Sequence, residues 1–377
     1  MNLIERKNSV LTGKNNLEKL VTLKNFPVFF GCTDQYPYLD IFADMEWGID
    51  TETGIIQLMK LIPPEILYQS QHVDGIGKTW ENYYQNFAEY IQKHKPLNVL
   101  EIGGGQGRLA EKIISKNQNT KWTIVEPNPT YNGTYNIKLI SAFFDENFNT
   151  PEKFDTVIFS QVLEHIYDPQ SFIKKINSIL QSNGKLIFAY PNIELWVRKK
   201  YTNSLNFEHT LMLTDLHLDY LLIKNGFQII EKIKYLDHSV YYFVEKSKCD
   251  IDIIPPINKY EEYKEIFMNF ISGYYHTVEE LNRKIKVTDA PIYLFGAHIF
   301  SQYLLSFGLN RSKIISILDN SKLKQRKRLY GTDLMVESPE VLRNQHCPII
   351  ILKTGIYNEE IKKDIIENIN PTVIFWE

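Results

Sequence analysis

The sequence predicts an α/β protein in which a mainly parallel sheet carries helices on both faces. Two observations lead to this class. From Asn98 onward short apolar runs alternate with helical segments, and a glycine-rich turn follows the first run. The predicted strands are Val99–Ile102, Trp122–Val125, Thr156–Ser160 and Lys185–Tyr190. A helix around Phe172–Leu180 separates the last two strands, and the Asn183-Gly184 pair is expected to end it.

Changes of pattern along the 377 residues divide the chain into three predicted regions. Residues 1–78 hold short apolar runs bounded by Gly and Pro, which predict an N-terminal cap or substrate segment. Residues 79–248 carry the strand–helix alternation and form the main predicted domain. Residues 249–377 begin as a helical connector and end in a smaller α/β domain, with strands at Ile292–Phe295, Ile314–Leu318 and Ile349–Leu352.

Charge and cysteine content exclude several classes of protein. The 42 Lys and Arg residues nearly balance 45 Asp and Glu residues, so a net charge of −3 disfavours nucleic acid and membrane surfaces as partners. Cys32, Cys249 and Cys347 lie far apart, so they predict neither a disulfide framework nor a metal site. The charged residues 5–7 do not fit a secretion signal, and a cytoplasmic location is expected.

The most informative segment is VLEIGGGQGRLA, which spans Val99–Ala110. An apolar strand leads into four glycines and then into a helix. Glycine is needed where the backbone takes a positive φ or where a ligand must approach closely. A second acid, Glu126, ends the next predicted strand, where a carboxylate can accept hydrogen bonds from a ribose. The segment therefore predicts a site for a nucleoside-containing cofactor.

Two cofactors suit this layout, because dinucleotide-binding folds also combine a strand, a glycine turn, a helix and a distal acid. Glu101, two residues before the first glycine, distinguishes them. A carboxylate there would repel a pyrophosphate but attract a ligand that carries an amino group or a positive charge. The residue therefore favours S-adenosylmethionine over NAD and leaves an NAD-dependent dehydrogenase as the weaker alternative.

At these residues the chain resembles the class I S-adenosylmethionine-dependent methyltransferases. The resemblance continues through FDTVIFSQVLEHIYDP, Phe154–Pro169, and through LQSNGKLIFAYPN after it. It implies a Rossmann-like methyltransferase sheet and S-adenosyl-L-methionine as cofactor. It also implies binding roles, with the amino-acid part of the cofactor at Glu101, Gly103, Gly105 and Gly107, the ribose at Glu126 beside Pro127, the adenine at Ala142 and Phe143, and the methyl-transfer chamber at Gln161.

The flanking segments resemble the sugar C-methyltransferases, which act on nucleotide-linked keto-deoxysugars. FEHTLMLTDLHLDYLLIKNGF carries Glu208-His209, and the last region contains YLFGAHIFSQYLL and ILDNSKLKQRKRLYGTDL. The likeness implies a nucleotide-linked sugar or a related glycan precursor as substrate. Three features depart from that family: only Cys32 remains of a zinc-binding segment, Asn206 replaces a tyrosine, and Tyr83 replaces a histidine in YQSQHVDGIGKTWENYY, which resembles the substrate gate.

His209 in this segment is the candidate base, and Glu208 beside it is expected to orient a neighbouring group or to tune charge. A helix cap is the structural alternative for His209. Methylation of carbon, of oxygen, and of a non-sugar acceptor on oxygen or nitrogen all stay open. The acceptor is expected to meet Tyr68, Tyr83, Tyr84, Tyr190 and Asn192.

Two other motifs receive structural interpretations. His165, in LEHIYDP, is expected to stabilise a turn. The basic run from Lys322 to Arg328 is expected to lie in solvent rather than to bind phosphates, because charge runs on loops are usually solvated. The protein is expected to be a monomer or a homodimer that acts on a small molecule.

Overall fold

The computed structural model describes residues 1–69, 78–247, 253–354 and 358–377. Much of the segment that resembles a substrate gate, and also Cys249, lie outside these residues. The chain forms two compact units, and each is assembled from separated stretches. Unit 1 comprises Met1–Glu18, Gly48–Leu195 and Glu208–Tyr263, and unit 2 comprises Lys19–Trp47, Trp196–Phe207 and Lys264–Glu377.

The strands and helices are numbered in chain order. The strands are β1 (Ile4–Glu5), β2 (Leu17–Pro27), β3 (Cys32–Thr33), β4 (Phe42–Asp50), β5 (Ile56–Leu58), β6 (Lys60–Leu61), β7 (Asn98–Ile102), β8 (Lys121–Glu126), β9 (Ile137–Ser141), β10 (Phe154–Ser160), β11 (Leu180–Pro191), β12 (Leu211–Met212), β13 (Phe227–Tyr235), β14 (Ser239–Lys246), β15 (Ile292–Phe295), β16 (Ile314–Leu318), β17 (Arg328–Leu329), β18 (Val336–Glu337), β19 (Ile349–Leu352) and β20 (Ile374–Trp376). The α-helices are α1 (Pro64–Leu67), α2 (Lys78–Lys93), α3 (Arg108–Ile114), α4 (Pro169–Ile179), α5 (Ile193–Arg198), α6 (Asp215–Lys224), α7 (Tyr260–Val287), α8 (Ile299–Ser306) and α9 (Asn358–Asp364).

Unit 1 is built on a seven-stranded sheet in the order β13-β14-β11-β10-β7-β8-β9. Strand β14 is antiparallel to both neighbours, and the other adjacent strands are parallel. From β7 the chain passes through α3 to β8 on one side, whereas β10 and β11 lie on the other side. The strand order therefore reverses between β7 and β10, and ligands of parallel α/β sheets bind at such a switch point. The predicted α/β fold is confirmed.

Helices cover both faces of this sheet. Neighbouring residues of β10 point to opposite faces, as strand geometry requires. Ile158 belongs to a buried cluster with Phe87 of α2 and Leu109 of α3. Phe159 contacts Phe172 of α4, with ring centroids 5.5 Å apart. The layered arrangement that the strand–helix alternation predicted is therefore present.

The Asn183-Gly184 pair does not end a helix. Helix α4 ends at Ile179, and β11 begins at Leu180, which pairs with Phe154. The register then shifts, so that the next pair is Thr156 with Lys185, and residues 181–184 form an irregularity inside the strand. The predicted helix stop was wrong, because a glycine signal fits a bulge in a strand as well as a helix end.

Unit 2 contains a parallel five-stranded sheet in the order β18-β16-β15-β19-β20. Gly296 follows β15 with φ = +99°, a left-handed conformation that glycine tolerates. The backbone N–H of Ala297 donates to Asp319 Oδ2 at 2.9 Å, and Lys324 Nζ lies 3.0 Å from the same oxygen. The acid that follows β16 is therefore bonded to the turn after β15.

The N-terminal region 1–78 is divided between the two units. Strand β1 pairs with β6 and β5 pairs with β12, all within unit 1, whereas residues 19–47 belong to unit 2. Contacts between segments far apart in the sequence decide this assignment, so local sequence pattern does not show it. The functional limits 1–78, 79–248 and 249–377 stay predictions. No helix of the described residues combines the length and apolar character that a membrane crossing requires.

Candidate active site

The glycine turn follows β7 at the switch point of unit 1. Gly103 has φ = +77°, and its N–H donates to the Val125 carbonyl at 2.9 Å, which joins the turn to β8. A Cβ on Gly103 would lie under 3.0 Å from the Val162 side chain, just after β10. Gly107 has φ = +70° and immediately precedes α3. Both positions require glycine, because a Cβ strains left-handed backbone.

Glu101 packs directly against this turn. Its side chain is buried, and Trp122 Nε1–H donates to Oε2 at 2.7 Å. A Cβ on Gly104 would lie under 3.0 Å from both carboxylate oxygens. Because glycine has no Cβ at position 104, Glu101 can place its negative charge directly at the turn.

The segment after β8 contacts both the glycine turn and the end of β9. Thr130 N–H donates to the Gly105 carbonyl at 3.0 Å, and Ser141 Oγ donates to the Pro127 carbonyl at 2.9 Å. The ring of Tyr131 then lies where a Cβ on Gly107 would be. Gly105 thus joins the turn to the segment after β8, and Pro127 joins that segment to the end of β9.

Replacing Gly107 with alanine is expected to destabilise unit 1 more than the same change at Gly13. Gly13 has φ = +74°, but a Cβ added there would have no atom within 4 Å. Gly13→Ala therefore measures the cost of backbone strain alone, about 1 kcal/mol. Gly107→Ala adds a clash with the Tyr131 ring, which is expected to cost about 1 kcal/mol more. Urea denaturation of both variants measures the difference. Equal losses would contradict the contact with Tyr131.

The residues predicted for the ribose and adenine lie together at the end of β8. Glu126 is half-buried, and its Oε1 accepts the backbone N–H of Asn128 at 3.1 Å. Asn128 Nδ2 donates to the Tyr68 carbonyl at 2.9 Å, and the Tyr68 ring meets Phe143 edge-on at 6.3 Å. The Ala142 N–H donates to the Glu126 carbonyl at 3.3 Å. Tyr68, predicted to meet the acceptor, is thus held beside the cofactor residues.

Gln161, predicted for the methyl-transfer chamber, follows β10 with φ = +54°, which is uncommon for a residue with a Cβ. Its Nε2 donates to Ser239 Oγ at 2.9 Å and to Tyr83 Oη at 3.3 Å. Tyr83 Oη also lies 2.6 Å from Ser160 Oγ. Burial raises the pKa of Tyr83 above its usual value, so its hydroxyl stays protonated. Gln161 and Tyr83 therefore belong to one largely buried polar network.

The other predicted acceptor residues differ in how accessible they are. Tyr84 is half-buried, and its ring centroid lies 5.9 Å from the Arg108 guanidinium carbon. Asn192 is half-buried and donates its backbone N–H to the His238 carbonyl at 3.1 Å. Tyr190 is fully buried, and its hydroxyl accepts the Leu213 N–H at 3.2 Å. Tyr190 therefore stabilises the backbone, and acceptor contact stays a prediction for all three residues.

The predicted catalytic pair lies beside the turn after β10. Thr210 N–H donates to the Glu164 carbonyl at 2.8 Å, which joins the 208–210 segment to that turn. The rings of His165 and His209 meet edge-on with centroids 5.1 Å apart. Glu208 Oε2 lies 3.9 Å from His165 Nδ1. Two Glu-His dipeptides, distant in sequence, are thus adjacent in space.

Burial controls the charges of this group. It raises the pKa of Glu164 to about 8 and that of Glu208 to about 7. Arg6 is also buried, which lowers its pKa to about 10, and its guanidinium donates to the carbonyls of Thr210 at 3.1 Å and Tyr167 at 2.6 Å. Arg6 therefore joins the residue after the catalytic pair to the segment that follows His165.

The structure corrects one interpretation of His209 and adds a grouping that sequence analysis missed. Helix α6 begins at Asp215 with Thr214 as its N-cap, so His209 does not cap it.

Ligand atoms of Glu164, His165 and His209 all lie within 4.8 Å of one another, where the sequence predicted no metal site. The signal in the sequence is the repeated Glu-His dipeptide, 44 positions apart from 164 to 208. That separation matches no short ligand motif.

Residues 76–232 match the family model described as a methyltransferase domain. The chain is 26% identical over 140 residues to malonyl-[acyl-carrier protein] O-methyltransferase 1 of Ilyobacter polytropus, which covers 32% of this chain and 50% of that protein. It is 32% identical over 114 residues to an uncharacterized methyltransferase of Bacillus velezensis, which covers 28% of this chain and 53% of that protein. The chain thus spans about half the length of the curated relatives it matches.

Among solved structures, the chain is similar to the plantazolicin methyltransferase BpumL in complex with a monoazolic desmethylPZN analog and SAH. The TM-score is 0.37 and the identity 14%, over 45% of this chain and 84% of that chain. The matched range 76–232 contains the glycine turn, Glu126, Gln161 and Glu208-His209. Residues 76–232 are therefore similar to a methyltransferase domain over the segment that holds these predicted site residues.

Proposed function

We propose that the protein transfers a methyl group from S-adenosylmethionine to a nucleotide-linked sugar or a related glycan precursor. The position of Tyr68 supports a single reaction centre. Burial raises the pKa of Tyr68 well above its usual value, and the charges of Glu208, Glu164 and Glu126 act in the same direction. The Tyr68 carbonyl also accepts a hydrogen bond from Asn128 Nδ2, whose backbone N–H donates to the ribose acid Glu126.

The residues around the glycine turn fit the donor. Glu101 offers a buried negative charge to its amino group, and Glu126 offers oxygens to its ribose hydroxyls. When bound, the donor supplies an electrophilic methyl group on a sulfonium. The chain itself must hold the acceptor in line with that methyl group and remove the acceptor's proton.

We infer that His209 removes this proton. Imidazole suits proton transfer near neutral pH, and the His209 ring is buried, which limits competition from water. Glu208 contributes through His165, whose Nδ1 lies 3.9 Å from its carboxylate. For a keto sugar the proton leaves the carbon next to the carbonyl, and for a hydroxyl acceptor it leaves oxygen.

The sugar acceptor rests on the Glu208-His209 segment and on the last α/β region, which resemble those of the nucleotide-sugar C-methyltransferases. A second candidate is an acyl or other non-sugar acceptor methylated on oxygen. The relative from Ilyobacter polytropus, named for malonyl-[acyl-carrier protein], favours it. An NAD-dependent dehydrogenase is disfavoured by the buried Glu101 carboxylate at the glycine turn.

The test incubates the protein with methyl-labelled S-adenosylmethionine and a panel of keto and hydroxy nucleotide sugars. Malonyl thioesters form the non-sugar arm. Label in a sugar, located by NMR, supports the proposal and separates carbon from oxygen transfer. Label in the thioester arm alone supports the second candidate and contradicts the first. Absence of label in every sugar, while calorimetry shows that the donor binds, also contradicts the sugar proposal.

Two variants separate donor binding from proton removal. Glu101→Gln is expected to weaken donor binding about 10- to 100-fold, because a hydrogen bond to a charged group contributes about 1.5–3 kcal/mol. His209→Ala is expected to leave donor affinity unchanged and to lower turnover about 10²–10⁴-fold. His346→Ala, at an exposed histidine of unit 2, is the control and should change neither. Unchanged turnover in His209→Ala would remove that residue from the mechanism.

A further inference from the structure

We propose that Glu164, His165 and His209 bind one divalent transition-metal ion at the candidate active site of unit 1. The three residues come from two separate segments, the turn after β10 and the stretch before β12. The metal site itself does not depend on the proposed function. Only its consequence for the acceptor rests on that function.

The geometry is close to that of a metal site. One ligand atom from each residue lies within 4.8 Å of the other two. The centre of an equilateral triangle with sides of 4.8 Å lies about 2.8 Å from each corner, compared with metal–ligand bonds of about 2.0–2.2 Å. Small side-chain rotations would therefore bring all three atoms into the coordination sphere.

Glu164 supplies an independent observation. Its side chain is 1% exposed, and Oε1 lies 3.9 Å from His165 Nε2. Within the part of the chain that the structure describes, Oε2 has no hydrogen-bond partner. A buried carboxylate oxygen without a partner is costly, and a cation between the two segments would supply one.

The surrounding contacts hold the ligands in place. The Thr210 N–H bond to the Glu164 carbonyl and the Arg6 bond to the Thr210 carbonyl join the two segments. Glu208 Oε2 lies 3.9 Å from His165 Nδ1, while Nε2 of the same ring faces Glu164. A carboxylate on the second ring nitrogen is the usual way to orient a metal-binding histidine.

The ligand types indicate the class of metal. Two imidazoles and one carboxylate suit Mn²⁺, Co²⁺ or Zn²⁺, whereas Mg²⁺ prefers oxygen ligands alone. Three protein ligands leave coordination positions for an oxygen of the acceptor. With the cation bound, His209 would be a ligand, the inference that it removes the proton would fail, and the cation would orient and polarise that oxygen. Because His209→Ala lowers turnover in either role, metal binding itself must be measured.

The experiment uses full-length protein freed of metal by a chelator. Calorimetry with MnCl₂ is expected to show one bound equivalent, and CoCl₂ is expected to produce the visible absorption of a nitrogen- and oxygen-coordinated ion. Glu164→Gln, which keeps the side-chain size, and His165→Ala, at a partly exposed residue, should each weaken Mn²⁺ binding at least about tenfold. Circular dichroism confirms that both variants fold.

The matched control removes an alternative site on the surface. Cys347 Sγ lies 4.0 Å from the His346 ring nitrogens, and both residues are in unit 2. The double variant His346→Ala/Cys347→Ser should bind Mn²⁺ as the unaltered protein does. Loss of binding in that variant would overturn the proposal, as would full affinity in Glu164→Gln and His165→Ala. No binding by the unaltered protein would also overturn it.

Failure of this inference and failure of the proposed function give different results. A protein that methylates a nucleotide sugar after chelation, and binds no metal, keeps the proposed function and loses the metal site. A protein that binds one Mn²⁺ through Glu164 and His165 but methylates no sugar keeps the metal site and loses the sugar acceptor.

Discussion

Replacing Arg328 with methionine is expected to lower the free energy of unfolding of unit 2 by about 3–5 kcal/mol. The side chains of Arg328 and Asp40 are 6% and 2% exposed, and two guanidinium nitrogens donate to the two Asp40 oxygens at 2.6 Å each. Methionine fills a similar volume but leaves Asp40 buried without its cation. The cost is therefore that of an uncompensated buried charge.

The rest of the Arg328 environment adds to this cost. Its Nε donates to the Gln35 carbonyl at 2.6 Å, and Nη1 donates to the Thr332 carbonyl at 3.1 Å. Asp40 also accepts the Gly331 N–H at 2.8 Å. These bonds join residues 35–40 to the 328–332 loop, both in unit 2. Their loss is expected to loosen that loop as well as the ion pair.

Arg311→Met is the matched control for this prediction. Arg311 Nη1 lies 2.7 Å from Asp333 Oδ1, and both residues are in unit 2, but their side chains are 52% and 69% exposed. Solvent screening limits such a pair to at most about 1 kcal/mol. Urea denaturation measures the loss, and hydrogen exchange assigns it to unit 2. Similar losses in the two variants would contradict the argument from burial.

Arg328 also illustrates a limit of sequence analysis. The run from Lys322 to Arg328 was expected to be solvated, and for Arg328 that prediction was wrong, because its partner Asp40 lies 288 residues earlier. A local charge pattern cannot show which member of the run meets a distant buried acid. Contacts with distant segments also place residues 19–47 in unit 2, and the local pattern of residues 1–78 does not show this.

Features that depend on local order were predictable. The strands Ile292–Phe295, Ile314–Leu318 and Ile349–Leu352 have the predicted bounds, since short apolar runs between turn signals specify buried strands. The glycine turn was predictable because left-handed backbone at Gly103 and Gly107 selects one residue type.

The contacts of the candidate site were only partly predictable. Glu101 and Glu126 follow from their places at the ends of adjacent strands, so the sheet brings them to one edge. The grouping of Glu164 and His165 with His209 depends on how the 208–210 segment returns to β10. Side-chain contacts across such a return leave no periodic signal in the sequence.

Replacing His217 with glutamine is expected to remove part of the acid sensitivity of unit 1. His217 Nδ1 accepts the Thr214 N–H at 3.2 Å, so Nε2 carries the proton and donates to the Thr53 carbonyl at 3.0 Å. Glutamine also offers one acceptor and donors, and it suits the third position of a helix that begins after a threonine cap. The variant should therefore keep these contacts without titrating.

The sign of the effect follows from the pKa of His217, which burial lowers from 6.5 to about 4. Protonation places a hydrogen on Nδ1, where the Thr214 N–H already points. Between pH 4 and pH 6.5 the unfolded chain binds a proton at His217 that the folded chain does not bind. The neutral His217 ring therefore contributes its full stabilisation above pH 6.5. Below that pH the free energy of unfolding falls by about 1.4 kcal/mol per pH unit until about pH 4.

The measurement compares urea denaturation of the two proteins across this pH range. Burial also lowers the pKa of His238 to about 4 and raises those of Glu164 and Glu208, but these groups are common to both proteins and cancel in the difference. The unfolding free energy of His217→Gln, relative to the unaltered protein, should therefore rise by about 3 kcal/mol from pH 6.5 to pH 4. Parallel pH profiles for His217→Gln and the unaltered protein would mean that the buried ring titrates normally, and the hydrogen bonds to Thr214 and Thr53 would then not hold it neutral.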